Sequence, residues 1–174
     1  MSHKKMLQCS MGALLLLLPW FGGLVLGEIS TDFSQCLDFF YKETPPTGIP
    51  AEGYQRICQR YQNQYRFATL YHRQHRSPLY SAYKLSPPDG TRPEIEWMFE
   101  PQLADSRGSS EMQIFSTPVD QNVMESQAVE EDYKSIFTKG HLNPTGHQKT
   151  EQDRMATFTL TNIVPQRMVS NNGA

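Results

Sequence analysis

One uncharged run near the start divides the chain. Residues 11–26 carry no charged side chain and centre on five leucines at 14–18. Lys4 and Lys5 precede the run, and no acid occurs before Glu28. A basic segment, an apolar stretch and then small residues form the layout of a secretory leader. Val25 and Gly27 suit the last positions of such a leader, so the sequence predicts a signal peptide over 1–27, cleaved near Gly27. The competing reading is an uncleaved anchor. Pro19, Gly22 and Gly23 interrupt the run, and it is shorter than the ~20 residues a spanning helix needs. The expected product is secreted, extracellular and free of the membrane after cleavage. It is a single domain over 28–174, long enough for one ordinary core.

Secretion sets the redox environment. Cys9 would leave with the leader, so Cys36 and Cys58 remain, with one intramolecular pairing open to them. Closing that loop of about 23 residues is worth roughly 3 kcal/mol in the loop-entropy model. Two free buried thiols are the alternative. A structural zinc site needs more ligands than two cysteines at this spacing provide.

Composition places the chain among globular proteins, at 38% hydrophobic and 20% charged residues. The formal net charge of −2 excludes a polybasic, histone-like mode of nucleic-acid binding. That small total hides a segregation. Residues 53–92 hold seven bases against one acid, and residues 93–133 hold ten acids against Arg107. The basic segment is interleaved with Tyr54, Tyr61, Tyr65, Phe67, Tyr71, Tyr80 and Tyr83. Cations with aromatic rings suit a phosphate-lined partner, so Arg66, Arg73 and Arg76 are candidate nucleic-acid contacts. The simpler reading is two half-buried strands, 66–72 and 79–84, joined by a turn over 73–78.

Elsewhere the pattern predicts a short helix over 33–41 carrying Cys36, a turn over 44–49 and a strand over 95–99. It also predicts a polar loop over 104–111, a solvated helix over 120–133 and a strand over 156–160. The mixture is α+β, with antiparallel hairpins in place of regular βαβ units.

His141 is the residue with most chemical promise. It follows Thr138, Lys139 and Gly140 and precedes Leu142, Asn143 and Pro144. On a strand, Lys139 and His141 share a face. A neutral imidazole can take a proton from water, and a nearby cation can stabilise charge growing on a phosphate. Gly140 admits close backbone approach, and Pro144 fixes a turn. His72 and His75 read as solvated turn residues, and His147 as structural or exposed.

This segment is followed by Thr161-Asn162-Ile163-Val164-Pro165-Gln166 and then by Asn171-Asn172-Gly173. In that order the three blocks resemble the DNA/RNA non-specific endonucleases of the ββα-metal, or His-Me finger, fold. The likeness is closer still to a vertebrate branch of that family through the blocks at 36–41, 57–60, 66–71, 78–83, 100–102 and 156–162. The resemblance implies that His141 is the general base and that Asn171 holds a single Mg²⁺. It implies that Asn162 is a supporting residue and that Lys139 stands where the family has arginine. Thr138 stands where the family has aspartate. The implied activity is hydrolysis of DNA and RNA with little sequence preference. The family pattern runs on past Ala174 with a tryptophan and a helical glutamate, so the resemblance implies an incomplete C-terminus and an inactive 174-residue form. A second expectation comes from Thr138, Lys139 and the acidic 93–133 segment. It is a non-catalytic secreted module that keeps the nuclease fold.

Overall fold

The computed structural model describes residues 29–170, apart from 88, 89, 135 and 169. The expected leader and Asn171 therefore lie outside the described residues.

The basic-aromatic segment builds the main sheet. Strands β1 (Ile29–Ser30), β2 (Tyr54–Tyr61), β3 (Gln64–His72) and β4 (Ser77–Ala82) lie side by side in that order, all antiparallel. Gln62 and Asn63 link β2 to β3, both at positive φ. That is the backbone of a two-residue hairpin turn whose twist matches the strands. The two strands expected here are present, but β3 is not half-buried. Phe67, Ala68, Thr69, Leu70 and Tyr71 are all buried. Ala68 and Leu70 meet Phe33, Cys36, Phe40 and Cys58 on one face. Phe67 meets Met98, Met112 and Phe158, and Tyr71 meets Ile57 and Leu103. Alternation alone does not report this, because Thr69 turns inward to accept from the Gln59 amide at 3.2 Å.

Cys36 and Cys58 are joined in a disulfide, with Cα atoms 5.7 Å apart. It ties the 33–43 segment to β2. The helix expected over 33–41 resolves instead into two 3-10 turns, Leu37–Phe39 and Tyr41–Glu43. Lys42 and Glu43 have positive φ, which a right-handed helix cannot accommodate. Packing of Phe33 on Phe40, with ring centroids 4.8 Å apart, holds the fold-back.

The acidic segment wraps around the sheet. Strands β5 (Met98–Phe99) and β6 (Gln113–Ile114) pair, with helix α1 (Pro101–Ala104) between them. The strand expected over 95–99 thus shrinks to its last two residues. The helix expected over 120–133 is broken. Helix α2 (Gln121–Ser126), capped by Asp120, ends at Gln127, and a separate 3-10 turn spans Glu130–Tyr133. The break has a cause. The Gln127 amide binds the backbone N–H and carbonyl of Glu100, and the Ala128 N–H donates to the Tyr71 hydroxyl. The Ala128 N–H thus takes a buried side-chain partner in place of a helical carbonyl, and the Gln127 side chain pins the break to Glu100.

The last part holds helix α3 (Glu151–Ala156) and an antiparallel pair, β7 (Phe137–His141) with β8 (Ile163–Arg167). The strand expected over 156–160 is not formed. Residues 156–163 are buried throughout, and Leu160–Asn162 form a 3-10 turn. Thr159 and Thr161 both turn their hydroxyls onto the buried Glu100 carboxylate, at 2.8 and 3.2 Å. The architecture is α+β.

Candidate active site

Strands β7 and β8 run in simple register: Phe137 faces Arg167, Lys139 faces Pro165 and His141 faces Ile163. With a two-residue repeat, Phe137, Lys139 and His141 lie along one face of β7. Gly140 lies between them because its backbone is pressed against Gln166. A Cβ added at Gly140 would lie 2.9 Å from the Gln166 Cβ. Any side chain there would part the two strands.

Asn162 is fully buried and fully used. Its Oδ1 accepts from the Asn143 N–H at 2.9 Å and from the Ser81 hydroxyl at 2.8 Å. Its Nδ2 donates to the carbonyls of Asn143 at 3.1 Å and Thr157 at 3.0 Å. With both oxygen lone pairs and both N–H groups taken, Asn162 has nothing to offer an ion. It fastens the turn that follows His141 to β4 and to the end of α3.

His141 sits in an aromatic wall. Its ring lies 5.6 Å from Trp97 and 5.5 Å edge-on from Phe158. Its Nε2 is buried with no hydrogen-bond partner among the described residues. Burial, and then the positive charge of Arg92, push its pKa down to about 4. Desolvation disfavours the imidazolium, so the ring is neutral at pH 7 and keeps a lone pair. The Arg92 guanidinium stacks over Phe158 at 4.8 Å.

Lys139 Nζ lies 4.8 Å from the Trp97 ring centre, 5.9 Å from Tyr133 and 3.6 Å from the Glu130 carboxylate. The Thr138 hydroxyl donates to the Gln166 carbonyl at 3.0 Å. A cleft of about 460 Å³ opens here, lined by Arg92, Trp97, Tyr133, Lys134, Phe137, Thr138, Lys139 and Met168. Three of these side chains are cations and three are aromatic.

The arginines singled out from the sequence lie elsewhere. Arg66, with a side chain only 9% exposed, pairs with Asp153 at 3.0 Å. Arg76 pairs with Asp132 at 2.7 Å and donates to the Met124 carbonyl. Arg73 is exposed on the β3–β4 turn and lines a separate hollow with Gln55, Gln102 and Ser106. None of the three lines the cleft. His72 and His75 stack on each other at 3.7 Å, and His147 Nδ1 is 2.8 Å from the Tyr83 hydroxyl. Sequence reasoning missed Arg92, Trp97 and Glu130 as neighbours of His141 and Lys139. Nothing local in the sequence marks them, because they arrive from other parts of the chain.

Residues 46–174 match the family model described as DNA/RNA non-specific endonuclease. The chain belongs to that family. It is 36% identical over 160 residues to the human endonuclease domain-containing 1 protein, and 38% identical over 161 residues to the mouse protein of that name. Each alignment covers 90% of this chain, and the chain spans about a third of the length of these relatives. A shorter stretch of 45 residues, 25% of this chain and 13% of the relative, is 49% identical to the zebrafish mitochondrial nuclease EXOG.

Members of the family use a divalent metal ion and act on nucleic acid. The described residues contain no group of three or more histidines, cysteines or carboxylates that would cage an ion. The unpartnered Nε2 of His141 leaves one buried polar atom that a bound group could satisfy.

Proposed function

We propose that this chain belongs to a secreted, Mg²⁺-dependent phosphodiesterase that hydrolyses DNA and RNA with little sequence preference. The site would be of the ββα-metal type, with β7 and β8 as its two strands. One observation carries the reading: a buried, neutral histidine whose Nε2 has no partner among the described residues, on the same strand face as Lys139 and near Arg92.

His141 accepts a proton from the water whose oxygen attacks phosphorus. The P–O bond on the far side breaks, and the leaving oxygen takes its proton from solvent. A base of this kind contributes about 10²–10⁴-fold. Lys139 and Arg92 place positive charge where the phosphate gains negative charge. Lysine keeps the charge of the family arginine without its bidentate fork. Gly140 and Asn162 hold the strand and turn that aim His141. Asn171, outside the described residues, would hold the Mg²⁺, which when bound neutralises charge on the phosphate and leaving oxygen.

The test is release of acid-soluble nucleotides from DNA and RNA by the full-length protein. The reading expects release with Mg²⁺ and none with EDTA. Two contacts favour a second reading, a binding module without catalysis: Lys139 is held by Glu130, and Thr138 is bonded to backbone. That reading expects salt-sensitive binding of nucleic acid with no release.

A further inference from the structure

The cleft has a feature that phosphate chemistry leaves unused. Phe137 and Met168 line it and remain 37% and 57% exposed. Neither can bind a phosphate. Phe137 stands opposite Arg167, the residue before Met168, at the open end of the β7–β8 pair. It shares a face with Lys139 and His141, about 7 Å and about 13 Å further along the strand at the usual rise per residue. An exposed ring lines the cleft with three cations: Arg92, Lys134, which pairs with Glu131 at 3.0 Å, and Lys139, which pairs with Glu130 at 3.6 Å. A strand's phosphates would compete with those carboxylates. Together ring and cations offer both parts of a single-strand site. The cations follow the backbone, and the ring receives a base face-on. A base inside a duplex has both faces covered by its neighbours and cannot stack there.

We propose that Phe137, with Met168 beside it, is a stacking platform for an unpaired base, and that it gives this nuclease a preference for single-stranded or locally unwound nucleic acid. The proposal rests on the nuclease reading above and names its substrate. The occupant is an unpaired base of a strand whose phosphates lie on the cations.

The test measures binding of the full-length protein, in EDTA at low salt, to a fluorescent single-stranded oligonucleotide and to a blunt duplex of the same sequence. Wild type should bind the single strand more tightly. Phe137→Ala should weaken single-strand binding about ten-fold, the lower range for loss of one stacked base, and leave duplex binding within about two-fold. Phe137→Trp, which keeps a flat ring, should retain the preference and so separate stacking from folding. Equal loss on both substrates, or no loss on either, would overturn the platform while the nuclease reading stands. Wild type that binds neither substrate would overturn both.

Discussion

Around the β2–β4 sheet, arginines tie elements together. Arg66 clasps Asp153 of α3, Arg60 meets Glu111 at 3.1 Å, and Arg76 bridges to Asp132 and to the backbone of α2. Around the β7–β8 pair, the Arg92 guanidinium lies 4.8 Å from the Phe158 ring centre, Lys139 lies over Trp97, and both border an open cleft next to a neutral histidine. The sheet is the more basic region by sequence, yet its charges are largely used within the fold. The β7–β8 pair has fewer cations nearby; Lys134 and Lys139 pair with Glu131 and Glu130, but both, with Arg92, line the cleft. Charge density along a sequence therefore says little about where a phosphate binds. What matters is which cations the fold leaves facing an opening.

Substitutions should separate the two regions. The largest stability effect is expected at Asn162. Replacing it by alanine leaves the Asn143 N–H and carbonyl, the Thr157 carbonyl and the Ser81 hydroxyl without this partner in a buried site. At about 1–3 kcal/mol per orphaned group, partly relieved by relaxation, a loss of about 3 kcal/mol or more is expected in urea unfolding. Reduction of Cys36–Cys58 acts on the sheet region instead. Loop entropy gives a loss of roughly 3 kcal/mol, and cleavage by the remaining folded fraction should persist.

The next effect is a pH dependence. Burial lowers the His141 pKa in the folded state to about 4, from 6.5. The unfolded chain then binds the extra proton first, so this stabilisation is full above about pH 6.5 and is lost as pH falls towards 4. Urea unfolding at several pH values should show stability rising across that window, by on the order of 3 kcal/mol at most. His141→Ala should flatten the slope. The smallest effects compare arginines directly. Arg92→Ala should weaken binding of nucleic acid several-fold. Arg66→Ala should leave that affinity unchanged and cost about 1 kcal/mol of stability. Fluorescence anisotropy and urea titration measure the two quantities. An Arg66 variant that binds as poorly as the Arg92 variant would erase the distinction between the regions.

Part of the candidate site's geometry was legible before the fold was known. Lys139 and His141 fall on one strand, as their spacing implied, and Cys36 pairs with Cys58, whereas the role of Asn162 was implied only by the resemblance to the family. The sheet was legible in part, since alternation located β3 and β4. It understated the burial of β3, because a buried threonine bonded to a buried glutamine looks polar in the sequence. The segment at 156–160 was misread for the same reason: Thr157, Thr159 and Thr161 alternate with apolar residues, but all of them are buried. The helix expected over 120–133 failed at Gln127, whose bonds to Glu100 are long-range. Arg92, Trp97 and Glu130 could not be read at all, since only the folded chain brings them beside His141 and Lys139.

The central proposal is that His141, packed against Trp97 beside this cleft, is the general base. The direct measurement compares the rate of acid-soluble nucleotide release by wild-type full-length protein and by His141→Ala, both with Mg²⁺ at pH 7 and both shown by urea unfolding to be folded. The account predicts a fall of about 10²-fold or more in the variant, with binding to nucleic acid retained. A variant that cleaves at the wild-type rate would contradict it.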